Sequence, residues 1–69
     1  SGLLVTTVEE DTFASRSDLL PGDLIVRLNG ARVMHNLQLA DLLRMCAPGN
    51  ELEVEWVRDG VLCQSSQVI

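Results

Sequence analysis

At 69 residues the chain has room for one small domain, and one small core supplies only ~3–5 kcal/mol of net stability. Apolar residues make up 46% of it, too many for a disordered segment, and ten acids against five bases give a formal charge of −5. All five bases are arginines (Arg16, Arg27, Arg32, Arg44 and Arg58) and they are scattered. That excludes the basic stripe a nucleic-acid binder needs, and equally a basic face for anionic lipid.

In chain order, residues 3–8 (LLVTTV) are apolar and β-branched and predict a strand, ended by the acidic Glu9-Glu10-Asp11. Thr12 is placed to cap a short helical turn at Phe13-Ala14-Ser15-Arg16. Pro21-Gly22 marks a turn, residues 23–28 (DLIVRL) a second strand, and Asn29-Gly30 a tight turn into a short extended return over 31–34. Between residues 36 and 47 the period becomes helical. Leu39, Leu42, Leu43 and Cys46 recur at i, i+3, i+4 and i+7, Asn36 is the expected N-cap, and Pro48-Gly49 the stop. Residues 51–56 then alternate strictly, with Leu52, Val54 and Trp56 predicted inward and Glu51, Glu53 and Glu55 outward. Asp59-Gly60 predicts a hairpin into a last strand over 61–69. Only Trp56 and Phe13 are aromatic, so Leu and Val must fill the interior.

Few residues here suggest chemistry. Cys46 and Cys63 are far apart and outside any Cys-x-x-Cys pair, and read as small buried hydrophobes. His35 is the single histidine; no Gly-x-Ser-x-Gly surrounds any serine and no His-Glu-x-x-His is present, so neither a triad nor a zinc site is indicated. The glutamates of 51–55 read as a solvated strand face. Same-face residues of a strand stand roughly 7 Å apart, too spread to converge on calcium. No apolar run approaches the ~20 residues of a membrane span, and no signal peptide opens the sequence.

The run Leu19-Leu20-Pro21-Gly22-Asp23-Leu24-Ile25-Val26-Arg27-Leu28-Asn29-Gly30 resembles the most recognisable stretch of PDZ domains, L-x-x-G-D-x-I-x-x-[hydrophobic]-N-G. Residues 11–17 stand where that family carries G-S-P-A-x-x-A, with Phe13 in place of Pro, and Asp18 replaces the Gly before Leu19. Together with Arg58-Asp59-Gly60 and a C-terminal strand, the chain is similar to the bacterial, circularly permuted version. That version accompanies HtrA/Deg-type serine proteases, carboxy-terminal processing proteases and site-2 metalloproteases. The implied fold is α+β: a small, mostly antiparallel PDZ-like sheet or partial barrel with one short and one longer helix. Residues 1–69 would form one domain, a piece of a larger protein. The family's carboxylate-binding loop and first groove strand would lie before residue 1.

The resemblance implies a non-catalytic module that binds a peptide or protein C-terminus by strand addition beside helix 36–47, selecting substrates for a protease or regulating it. Gly22, Asp23 and Gly30 then identify the fold and hold its turns. Asn36, Ala40 and Leu43, at i, i+4 and i+7, match the groove-facing helix positions, with small Ala40 leaving room and Leu43 favouring an apolar last residue such as Val, Leu or Ile. No cofactor, metal, nucleic acid or direct membrane contact is expected, and a periplasmic or membrane-associated location is implied by the resemblance alone. The alternative reading is a non-catalytic scaffold module, for example of a secretion or membrane assembly, that meets a protein partner through an exposed sheet edge.

Overall fold

The computed structural model describes residues 2–10 and 12–68. Ser1, Asp11 of the acidic turn and Ile69 of the last strand lie outside them. Among the described residues the order is β1 (Leu3–Leu4), α1 (Phe13–Arg16), β2 (Leu24–Leu28), β3 (Ala31–Arg32), α2 (Asn36–Met45), β4 (Glu51–Arg58) and β5 (Val61–Val68). The strands form one open antiparallel sheet in the order β1-β2-β4-β5, with β3 folded back on β2. Its inner face carries the core: Val5, Leu19, Ile25, Leu28, Val33, Leu52, Val54 and Trp56 are buried, and Leu39, Leu42, Leu43 and Cys46 of α2 pack against them.

Turn chemistry sets the strand ends. Asn29 and Gly30 (φ 50° and 79°) and Asp59 and Gly60 (φ 52° and 77°) adopt the paired positive φ of tight hairpin turns, which Asn, Asp and Gly tolerate. Asn29 also prolongs the β2–β4 pairing: its N–H donates to the Glu53 carbonyl and its side-chain Oδ1 accepts from the Glu53 N–H, both at 2.8 Å. Along β4 the alternation is as expected, with Leu52, Val54 and Trp56 buried. Glu53 and Glu55 are half-buried on the outer face, where they accept from Gln64 Nε2 and Arg27 Nη1.

Four expectations need correction. The strand expected over 3–8 is regular only at Leu3–Leu4, because β2 begins at Leu24 and offers no partner further along. Val5 still exchanges backbone bonds with the Pro21-Gly22 turn, donating to the Asp23 carbonyl and accepting from the Gly22 N–H. The return expected over 31–34 is regular only at Ala31–Arg32, with one further bond from the Val33 N–H to the Val26 carbonyl. α2 is capped by His35, not Asn36. His35 is extended and its Nδ1 accepts the Gln38 N–H at 3.3 Å, which leaves Asn36 as the first helical residue, and the helix ends at Met45. Finally, Cys46 and Cys63 are free and half-buried, not sealed in the core.

Short polar links hold the remaining joints. Thr12 and Ser15 close a reciprocal capping box on α1, and Ser65 and Gln67 of β5 donate to the Ser17 and Phe13 carbonyls below it. Gln38 accepts the Met34 N–H and donates to the Arg32 carbonyl, which fastens α2 to the end of β3. The central joint is ionic. Asp23, 2% exposed, accepts the Leu20 N–H at 2.8 Å and a forked pair of bonds from Arg58, Nε at 2.8 Å and Nη2 at 2.7 Å. Nη2 also donates to the carbonyl of Asp18, whose φ of 64° is the left-handed conformation usually left to glycine. The Arg58 hydrogen bonds hold the Asp23 carboxyl below its ordinary value of 3.8 against the opposing effect of burial, with the Leu20 N–H adding to them.

Asp23→Ala removes the acceptor shared by Leu20 and Arg58 and should cost about 2–4 kcal/mol. That is most of what a chain this size has, so urea melts should find the variant largely unfolded. Because the folded value of Asp23 is depressed, its stabilisation is complete above 3.8 and is lost as pH falls through the folded value. Wild-type stability should therefore hold from neutral pH to about 4 and drop below it, whereas Asp23→Asn, weaker at neutrality, should lack that component of the drop. For α2, His35→Asp should stabilise by a few tenths to about 1 kcal/mol through a better cap. Gln38→Ala should cost about 1 kcal/mol, and hydrogen exchange should show α2 amides released ahead of those in β4.

Candidate peptide-binding site

An uncharged concavity lies between β1 with the segment after it, α1, and the first turn of α2. It is a cavity of ≈ 200 Å³. Leu3 to Thr7 form one wall, Phe13 and Ala14 another, and Asn36 and Leu39 the third; Leu19 and Ile25 are the floor. Each wall has a local cause. The 3–7 segment is held by the Leu3↔Ile25 and Leu4↔Leu24 register and by the two Val5 backbone bonds. Thr12 fixes where α1 begins and therefore where Phe13 points. The His35 cap and the Gln38 links fix the start of α2.

None of these lining residues is charged. Leu3, Leu4, Val5, Leu19, Ile25 and Leu39 offer hydrocarbon, and Thr6, Thr7 and Asn36 supply neutral donors and acceptors at the rim. Such a site takes an uncharged, mainly apolar group and orients it with a few hydrogen bonds. β1 pairs with β2 along one edge and has no strand partner on the other among the described residues, so main-chain groups border the cavity. Among the described residues no three His, Cys, Asp or Glu side chains cluster as metal ligands would, and His35 Nδ1 is engaged in the helix cap. A second concavity of ≈ 230 Å³ surrounds the Asp23–Arg58 pair, whose guanidinium is already bound to Asp23 and Asp18 and lies 5.7 Å from the Trp56 ring centre.

Of the three helix positions expected at the site, Asn36 is exposed and lines the cavity. Ala40 is exposed one turn further along α2, and Leu43 is half-buried against the core; neither lines the cavity. Leu39 does, although its period assigned it to the core stripe. It serves both, being packed on the core and still accessible from the cavity. The 3–7 wall and Phe13 were read only as scaffold. A usable signal was present at Leu3-Leu4-Val5, an unbroken apolar run with no polar alternate, as expected of a strand with apolar surroundings on both faces. Leu4 is 57% exposed, so its outer face still awaits cover.

Comparison with known proteins agrees with this fold. Residues 1–66 match the family model for the PDZ domain. A probable periplasmic serine endoprotease DegP-like of Ectopseudomonas mendocina is 38% identical over 60 residues, which is 87% of this chain and 13% of that protein. The HtrA-type protease AlgW, solved with a decapeptide, superposes with a TM-score of 0.81 at 24% identity, covering 91% of this chain and 19% of the other. A solution structure from Geobacillus thermodenitrificans superposes with a TM-score of 0.74 at 24% identity, covering 97% of this chain and 76% of its own. The chain thus spans about one eighth of the protease it matches in sequence and about one fifth of AlgW. The family match, running almost end to end, makes the chain a member of the PDZ domain family, and as such a non-catalytic module.

Proposed function

We propose that this domain binds an extended peptide or protein C-terminus by strand addition, and that it serves a protease of the HtrA type as a substrate-selecting or regulatory module. The carrying observation is the juxtaposition of an uncharged apolar cavity with an unpaired strand edge and the first turn of α2. An added strand sits about 4.8 Å from its neighbour and places alternate side chains on opposite faces, so a strand lying along 3–7 directs every second side chain inward. Asn36 and Leu39 line the cavity from α2, and a peptide running on along the helix would next meet Ala40 and Leu43. Ala40 leaves clearance, Leu43 and Leu39 supply apolar surface, and Asn36 offers its amide to a ligand polar group. A neutral cavity favours Val, Leu or Ile as the last residue and disfavours Asp or Lys, whose charge would lose its water without a partner. The relative solved with a decapeptide and the DegP-like relative support the peptide and protease parts of this reading.

The test is an amide-shift titration with ten-residue peptides ending in Val, Asp or a C-terminal amide. It is run on this chain and on a version extended upstream in its parent gene. Apolar-ended peptides should shift residues 3–7 and 36–43, bind the extended form at least ten-fold more tightly, and lose that advantage when amidated. Asn36→Asp leaves α2 intact, since an acid suits the first helical turn, and should weaken apolar-ended peptides about five-fold or more. Shifts confined to other parts of the sheet, or indifference to the last residue, would sink the reading.

A further inference from the structure

β5 forms the other margin of the sheet, and its backbone orientation follows from two observations. A two-residue turn at Asp59-Gly60 makes Arg58 and Val61 a hydrogen-bonded pair, after which bonded and non-bonded pairs alternate. Independently, Glu53 exchanges its backbone bonds with Asn29 on the β2 side, so its neighbours Leu52 and Val54 must face β5. Both place the bonds to β4 on Val61, Cys63, Ser65 and Gln67. The N–H and C=O groups of Leu62, Gln64, Ser66 and Val68 therefore point away from the sheet, and they have no partner among the described residues.

Natural edge strands are usually guarded by lysine, proline, a bulge or an inward charge. β5 (VLCQSSQV) contains no charge and no proline, and it pairs with β4 over eight residues without a register shift. It lies within residues 61–69, the longest uncharged run of the chain. The side chains on its outer face are Leu62 and Val68 (58% and 64% exposed) toward the two ends and Gln64 and Ser66 between them.

We propose that two copies of this chain associate through β5, antiparallel about a two-fold axis perpendicular to the sheet. Such an axis pairs residues of the same facing. The outward backbone groups require these four residues to face one another, and the register that engages all four sets Leu62 opposite Val68 and Gln64 opposite Ser66 of the second copy, with the two Ser65 residues on the axis. In this register the exposed apolar ends cover each other and the polar middle pairs amide with hydroxyl. Identical copies of a chain with charge −5 repel, and the neutral strand is where they meet at least cost. The glutamates sit one strand back on β4, about 14 Å from their counterparts across three strand spacings. That exceeds the screening length of about 8 Å at physiological salt. A single strand per copy is a small interface, so the association is weak and strengthens with salt. It uses the margin opposite the peptide cavity and does not depend on the peptide reading.

Sedimentation equilibrium from micromolar to millimolar chain should show the average mass rising toward twice the protomer, more so at 0.5 M than at 0.05 M salt. Concentration-dependent amide shifts should fall on Leu62, Gln64, Ser66 and Val68. The double variant Gln64→Lys, Ser66→Lys places each lysine opposite Glu55 or Glu53 of its own β4, so the hairpin is retained, while the dimer register sets lysine against lysine twice. It should melt no earlier than wild type and stay monomeric, although it is less negative overall. A variant with glutamate at both positions should form mixed dimers with it. A wild type that remains monomeric at 1 mM, a lysine variant that dimerises equally, or shifts falling on residues 3–7 would each overturn the proposal.

Discussion

Asp23 is the residue on which most of the arrangement depends. One carboxylate, almost fully buried, gathers the Leu20 N–H and the Arg58 guanidinium, and through Arg58 the Asp18 carbonyl. This ties the exit of α1 and the start of β2 to the end of β4, some 35 residues further along the chain. Burial alone would push the carboxyl toward its neutral form; three directed hydrogen bonds reverse that and keep it ionised. The joint also explains a local oddity. Asp18 takes a positive φ without being glycine, and its carbonyl is held there by Arg58. Leu19, in the floor of the uncharged cavity, lies between Asp18 and Leu20 and is positioned by the same bonds.

Much of the fold was legible because its cues are local. A positive-φ dipeptide such as Asn29-Gly30 or Asp59-Gly60 needs no tertiary partner to declare a turn. The alternation of Leu52, Val54 and Trp56 with three glutamates could satisfy only a strand with one wet face. What was not legible depends on neighbours remote in sequence. Nothing in residues 3–8 says that β2 starts at Leu24, and that start is what limits the regular strand. His35 and Asn36 are both reasonable caps by type. The choice went to His35, whose Nδ1 accepts the Gln38 N–H while the Gln38 side chain is held by Met34 and Arg32.

The candidate site was legible in kind and displaced in detail. A helical period separates a core stripe from an outer stripe, but it cannot show that the core beneath the start of α2 is incomplete. Leu39 was assigned to the interior and does pack there, yet the ceiling above it is open. Of the three positions the resemblance implied, Asn36 lines that opening, whereas Ala40 and Leu43 lie further along the helix.

The state of α2 gives this opening its mechanical character. None of its residues is fully buried, Leu37 and Met45 are 76% and 82% exposed, and its contacts with the core are shared among four half-covered side chains. It is attached at both ends, through the His35 cap and the two Gln38 bonds at its start, and through Cys46, which packs on the core and accepts from Asn29 Nδ2, at its end. An apolar group seated in the cavity would cover Leu39, so the surface it buries would stabilise the helix as well as the complex. The domain is thus least finished where a ligand would complete it, while the Asp23–Arg58 joint keeps the opposite side of the core closed.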